Sequence, residues 1–144
     1  MKADNFDERI RNLFEPRSVA IIGASREHSK IGYAVLKNVL SGGYRGTIYP
    51  INPSGGEIEG VPVRRSIQEV EDEIDLAVIT IPARFVFASI QELCRAKVKN
   101  AIIISASFSE VGNLEEERKI TDYANEHGVR ILGPNVFGIY SSAS

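Results

Sequence analysis

Val19-Ala20-Ile21-Ile22-Gly23-Ala24-Ser25, followed by Arg26-Glu27-His28-Ser29-Lys30-Ile31-Gly32, is the stretch from which the fold is read. Four apolar residues without polar alternation match a strand buried on both faces, and Gly23 ends the run where the chain has to turn. A helical pattern begins at Ile31, so Gly23, Ala24, Ser25, Arg26, Lys30 and Gly32 belong to a strand-to-helix loop. A hydroxyl, two cations and the free amides of a helix start suit such a loop to phosphate. A plain structural turn is the alternative.

Outward from that stretch the periodicities keep alternating. Phe6, Ile10, Leu13 and Phe14 lie at the spacing of one helical face, with Asp4 or Asn5 as cap and Pro16 as stop, which predicts a short docking helix over about residues 4–15. Ile31, Val35, Val39 and Leu40 give the next helix its face until Gly42-Gly43, where a left-handed stop costs least. Thr47 to Ile51 reads as a strand whose Pro50 marks a fraying end. Asn52-Pro53-Ser54-Gly55-Gly56 is dense in turn residues and Val61-Pro62-Val63 allows only a terse strand, so the usual crossover helix is missing here.

Ser66 to Glu73 reads as a short polar helix or turn, and Leu76 to Ile81 as a buried strand. Pro82 then opens a helix with an inner face of Val86, Ile90, Leu93 and Cys94. Ala101 to Ile104 is a further apolar run. Asn113 with Glu116 resembles a capping box before a helix whose face is Ile120, Tyr123, Ala124 and His127, and Val129 to Leu132 is the last strand. Apolar runs alternating with amphipathic helices predict one α/β domain over residues 1–144, a Rossmann-like, doubly wound, mostly parallel sheet with helices on both faces. In such a sheet the ligand crevice lies where the strand order reverses, which sets the loop after the first strand opposite the loop after Ile81. The serine-rich end without a closing helix reads as part of a longer chain.

A net charge of -2, from 17 basic and 19 acidic residues spread along 144, gives no footprint for nucleic acid or for an anionic membrane. The single cysteine, Cys94, forms no internal disulfide and reads as a small buried hydrophobe. No apolar run approaches the ~20 residues of a membrane span, and the mixed, acidic start is unlike a signal peptide. A cytoplasmic protein is the expectation.

Two nucleotide fingerprints are incomplete. The dinucleotide loop needs a second glycine where Ser25 stands and an acidic residue after the second strand, where the chain has Asn52-Pro53. An uncharged Asn52 leaves room for a phosphate on the ribose, which favours NADP or coenzyme A over NAD. Lys30-Ile31-Gly32 lacks the Gly-Lys-Ser/Thr ending of a triphosphatase loop, so ATP hydrolysis is not expected. No general acid or base stands near the crevice, which weighs against an oxidoreductase.

With these residues in place the chain resembles the CoA-binding domain of the NDP-forming acyl-CoA synthetases, the family of ADP-forming acetyl-CoA synthetase and the succinyl-CoA synthetase alpha subunit. The matching pieces are Leu13-Phe14-x-Pro16-x-Ser18-Val19-Ala20, Gly23-Ala24-Ser25 with Lys30-x-Gly32, Asn52-Pro53, Glu57-Ile58-x-Gly60, Ile81-Pro82-Ala83, Phe108-Ser109-Glu110-x-Gly112 and Gly133-Pro134-Asn135-x-x-Gly138. They run in order over nearly the whole chain. The resemblance implies a domain that binds coenzyme A or acyl-CoA, with the pyrophosphate near Gly23 to Lys30 and the adenosine end near Asn52, Pro53 and Ser54. The pantetheine arm would pass Ile81, Pro82 and Ala83, then Ser105, Ala106 and Ser107.

The resemblance also implies partners: a phosphohistidine domain that activates the acid as an acyl phosphate, and a grasp-type domain that exchanges the phosphate with ADP. His28 and His127 match no catalytic position of that family, and the domain is not expected to be catalytic alone. Similar domains also occur as regulatory modules fused to protein acetyltransferases. This chain departs from the family at Ser54, where a basic residue is common, at Ser107 for glycine and at Val136 for cysteine. Arg26 or Arg64 is then left to meet the ribose phosphate. Asn135 either orients the phosphohistidine segment or makes a turn.

Overall fold

The first strand forms where its apolar run predicted it, over Ser18–Ile22 (β1), and all five residues are buried. The structure, a computed structural model, describes residues 2–105 and 112–134, with side chains from Glu8 onward. Before β1 runs α1 (Lys2–Phe14), and after it α2 (Ile31–Ser41) and β2 (Thr47–Ile51). A two-stranded hairpin of β3 (Glu57–Ile58) and β4 (Val61–Pro62) and one turn of 3-10 helix, Ile67–Glu69, replace the missing crossover helix. Then follow β5 (Leu76–Ile79), α3 (Ala83–Arg95), β6 (Asn100–Ile103), α4 (Leu114–Glu126) and β7 (Arg130–Leu132).

The five long strands form one parallel sheet in the order β2-β1-β5-β6-β7. The fold is therefore the α/β, Rossmann-like, doubly wound arrangement expected. Alternation along β1 divides the core in two. Val19 and Ile21 pack with Tyr33 and Leu36 of α2 and with Ile58 and Val63 of the hairpin; Ala20 and Ile22 pack with Val86, Ile90 and Leu93 of α3 and Ile120 and Ala124 of α4. Each fully buried Ile or Leu among these, such as Ile21, Leu36 and Ile90, contributes about 1.5–3 kcal/mol. From β1 the chain crosses to β2 on one side and returns to β5 on the other, so the order reverses between β1 and β5.

Several local expectations shift. The first helix starts at Lys2, which puts Asp4 and Asn5 inside it rather than at its cap, because Lys2 and Ala3 are themselves good helix formers. In α2 the buried residues are Gly32, Tyr33 and Leu36, while Ile31 is 55% exposed. The cause is Gly32, whose tight seat on the preceding loop fixes how the helix is rotated. Pro50 does not fray β2: Ile51 remains paired and buried. The N–H that proline lacks falls on the outer edge, where the Arg64 amide donates to the Pro50 carbonyl at 2.9 Å instead.

The strand expected over Leu76 to Ile81 ends at Ile79, since Thr80 turns both its amide and its hydroxyl onto the Ile22 carbonyl, at 3.0 and 2.8 Å. Val129 lies before the last strand, because its amide closes α4 on the Ala124 carbonyl at 2.9 Å. Asn113 is the N-cap of α4, but at φ -94° and ψ 50° it is outside the extended region a capping side chain needs and makes no side-chain capping bond. The expected capping box is therefore not formed, although Glu115, Glu116 and Glu117 do occupy the positive end of the helix.

Candidate functional site

The loop after β1 is built around backbone contacts that only glycine permits. Gly23 has φ +91°, and a Cβ there would stand 2.7 Å from the Thr80 hydroxyl and 2.8 Å from the Ile81 methyl. A Cβ on Gly32 would meet the Gly23 carbonyl oxygen at 1.9 Å, so the start of α2 sits directly on the turn. Ala24 between them is fully buried. The Ser25 hydroxyl accepts from the Glu27 amide at 3.1 Å, a local turn that leaves Ser25 half-buried. Lys30 is the N-cap of α2 and its side chain is 63% exposed, with Nζ 3.9 Å from the Glu27 carboxylate. The Tyr33 amide is given to the Lys30 carbonyl at 3.2 Å, which leaves the Ile31 and Gly32 amides, the Ser25 hydroxyl and Lys30 at this helix start. Their chemistry fits a phosphate group.

Asn52 joins the second segment to this rim. Its Nδ2 donates to the Ala24 carbonyl at 2.7 Å, and its Oδ1 accepts from the Ser54 amide at 2.9 Å and from the Ser54 hydroxyl. The turn is closed by the Gly55 amide on the Asn52 carbonyl at 3.0 Å, with Pro53 and Ser54 exposed at its tip. Arg26 reaches across from the first loop, donating from Nε to the Glu57 carbonyl at 3.1 Å and from an Nη to the Gly55 carbonyl. Arg26 therefore pins the two segments together. Arg64 holds this segment through its backbone, its amide donating to the Pro50 carbonyl and its carbonyl accepting from the Asn52 amide, each at 2.9 Å.

The third wall is the chain after β5. Ile81 contacts Gly23, Pro82 is the N-cap of α3, Ala83 packs against the core, and the buried Ser105 donates its hydroxyl to the Ile81 carbonyl. The candidate residues from Gly23 to Ser105 thus lie along one edge of the sheet, at the β1/β5 reversal. Ala106 and Ser107 lie outside the described residues, as do Phe108, Ser109, Glu110, Asn135, Val136 and Gly138.

Thr80 was not singled out from the sequence, although a polar residue closing an apolar run was a usable signal. Tyr33 was also missed. Its hydroxyl donates to the Glu59 carboxylate at 2.6 Å, which raises the Tyr33 pKa, and its ring stacks on His28 at 4.1 Å. His127 stacks on Tyr123 at 4.1 Å, at the exposed end of α4. Cys94 packs against the core, and burial raises its thiol pKa, which leaves it protonated and unreactive.

The cluster of charge around Asp75 stands at the opposite edge of the sheet, among the residues that precede β1 and β5. Burial alone would raise the Asp75 pKa, but the Arg17 amide at 2.8 Å, the Arg17 guanidinium and Lys99, each at 3.3 Å, outweigh it and hold the carboxyl below its ordinary value. Among the described residues no group of three or more His, Cys, Asp or Glu is placed to hold a metal. No described helix is long and apolar enough to cross a membrane.

A family model described as a CoA binding domain matches residues 17–142. The chain belongs to this CoA-binding family. It is 46% identical, over 94% of its length, to an acetate–CoA ligase (ADP-forming) of Methanocaldococcus jannaschii, and 47% identical, over 90% of its length, to the alpha subunit of acetate–CoA ligase (ADP-forming) I of Pyrococcus furiosus. A solved structure, the dinucleotide-forming acetyl-coenzyme A synthetase 1 of Candidatus Korarchaeum cryptofilum in complex with phosphate and ADP, superposes with a TM-score of 0.89 at 42% identity over 91% of the chain. The CoA-binding domain described here spans only 19%, 29% and 28% of those three chains.

Proposed function

We propose that this chain binds coenzyme A, or an acyl-CoA, along the edge formed by the loops after β1, β2 and β5. The observation that carries the reading is the convergence of Gly23-Ala24-Ser25, Asn52-Pro53-Ser54 and Ile81-Pro82-Ala83, tied by the Asn52–Ala24 bond and the Gly23–Ile81 contact. On this reading the Ile31 and Gly32 amides, Ser25 and Lys30 hold the pyrophosphate by dipole, hydroxyl and charge. Pro53 and Ser54 border the adenosine end. Ile81, Pro82, Ala83 and Ser105 guide the pantetheine arm, toward Ala106 and Ser107.

The part this domain plays is to position the thiol rather than to activate it. The acid would be activated on other domains or subunits of an ADP-forming acid–CoA ligase. The size of the relatives, of which this chain spans less than a third, supports that division of labour.

Calorimetric titration of the chain with CoA, 3′-dephospho-CoA and NADP tests the reading. Saturable binding of CoA, tighter than that of NADP, is expected. Preference for NADP, or no heat with CoA at millimolar concentration, overturns it.

A further inference from the structure

Two guanidinium groups lie against the turn after β2, at its adjacent glycines Gly55 and Gly56. The Arg65 side chain lies along Gly55, with Nε 3.1 Å and Cγ 3.4 Å from where a Cβ on that glycine would stand. Arg26 lies along Gly56, with an Nη 2.3 Å from the equivalent point. Both glycines are in the left-handed region, at φ +62° and +81°, and their lack of side chains is what lets the two arginines close on the backbone. The two cations arrive from different elements, the first loop and the segment after β4.

Neither guanidinium is paired with a carboxylate among the described residues, unlike Arg17 with Asp75 or Lys30 with Glu27. Glu69 is spent on the Arg65 backbone, its carboxylate oxygen accepting from the amide at 2.8 Å. Arg26 gives two of its donors to the Gly55 and Glu57 carbonyls, which fixes its position without cancelling its charge. The turn they lie against is held rigid by Asn52, and by the Val63 amide on the Gly56 carbonyl at 2.8 Å. Two uncompensated cations on an exposed, preorganised turn attract a dianion.

We propose that Arg65, with Arg26 behind it, is the specificity-determining clamp for a terminal phosphomonoester on the bound nucleotide, the group that distinguishes CoA from its dephospho form. This rests on the CoA reading above. Ser54, at the tip of the turn, then carries no charge because the charge is supplied at the two adjacent glycine positions. Arg64, which meets the turn through its backbone carbonyl on the Asn52 amide at 2.9 Å, is the comparison residue.

The test is calorimetry of wild type, Arg65→Gln and Arg64→Gln with CoA and with 3′-dephospho-CoA. Loss of one hydrogen-bonded charge should weaken CoA binding by about tenfold or more in Arg65→Gln while 3′-dephospho-CoA affinity stays within twofold of wild type. Arg64→Gln should preserve the wild-type preference. Equal affinities of wild type for the two ligands, or an unchanged preference in Arg65→Gln, overturns the clamp while leaving the CoA reading standing. Failure of wild type to bind either ligand overturns both. Matching far-ultraviolet spectra and melting temperatures for the three proteins exclude misfolding as the cause of a loss.

Discussion

The side-chain amide of Asn52 donates to the carbonyl oxygen of Ala24 at 2.7 Å, so the residue that ends the β2 crossover closes the turn that follows β1. The other end of the same amide organises Ser54. One uncharged side chain therefore fixes the relative position of two loops, a task an aspartate in its place could not perform: it has no donor for the carbonyl.

Asn52→Asp is expected to lower stability by about 0.5–1.5 kcal/mol through the lost bond. It should also weaken CoA binding by more than Asn52→Ala does, since the new carboxylate repels phosphate. Urea denaturation and calorimetry of both variants check this; equal affinities of the two would remove the electrostatic part.

Lys30→Ala should reduce CoA affinity by about 1.5–3 kcal/mol if its ammonium meets the pyrophosphate. Its side chain is 63% exposed and, among the described residues, paired only with Glu27 at 3.9 Å. Stability should therefore change by less than about 0.5 kcal/mol. Unaltered affinity would place the phosphates away from this rim.

Gly32→Ala forces a methyl group to within 1.9 Å of the Gly23 carbonyl oxygen. A cost of about 1–3 kcal/mol in urea denaturation is expected from overpacking against backbone, with a parallel loss of CoA affinity as the helix start is pushed off the loop. Gly43→Ala is the contrast. There the cost of about 1–2 kcal/mol comes from the left-handed backbone alone, and ligand affinity should be retained.

The Asp75 carboxyl has a pKa held below its ordinary 3.8. A depressed folded pKa means that the folded state binds fewer protons, so its stabilisation is complete above 3.8 and is lost as the pH falls through the lower, folded value. Asp75→Asn should cost about 1.5–3 kcal/mol at neutral pH, with the difference from wild type shrinking at pH 3 and below. A pH-independent difference in denaturation midpoints would assign the cost to packing instead.

Much of this was written into local sequence. The unbroken apolar runs at Val19–Ile22 and Leu76–Ile79 can be buried on both faces only in a parallel sheet between helices. Gly23 and Gly32 mark the points where the backbone must come close. Val86, Ile90 and Leu93 declared the inner face of α3, since a regular helix repeats its own geometry along the chain. The family, too, was legible, because the ordered motifs from Leu13 to Gly138 are a property of the sequence.

Tertiary structure decided what depends on contacts between segments distant along the chain. The face of α2 rotated from Ile31 to Tyr33 and Leu36 because the Gly32–Gly23 contact overrides the helix's own apolar pattern. The strand after Glu73 stopped at Ile79 because Thr80 had the Ile22 carbonyl to bond. Arg65 came to lie on Gly55 because the segment after β4 is docked alongside β2, where Arg64 pairs with Ile51 and bonds the Pro50 and Asn52 backbone. Periodicity specifies which residues can share a face; only the packed chain specifies what that face meets.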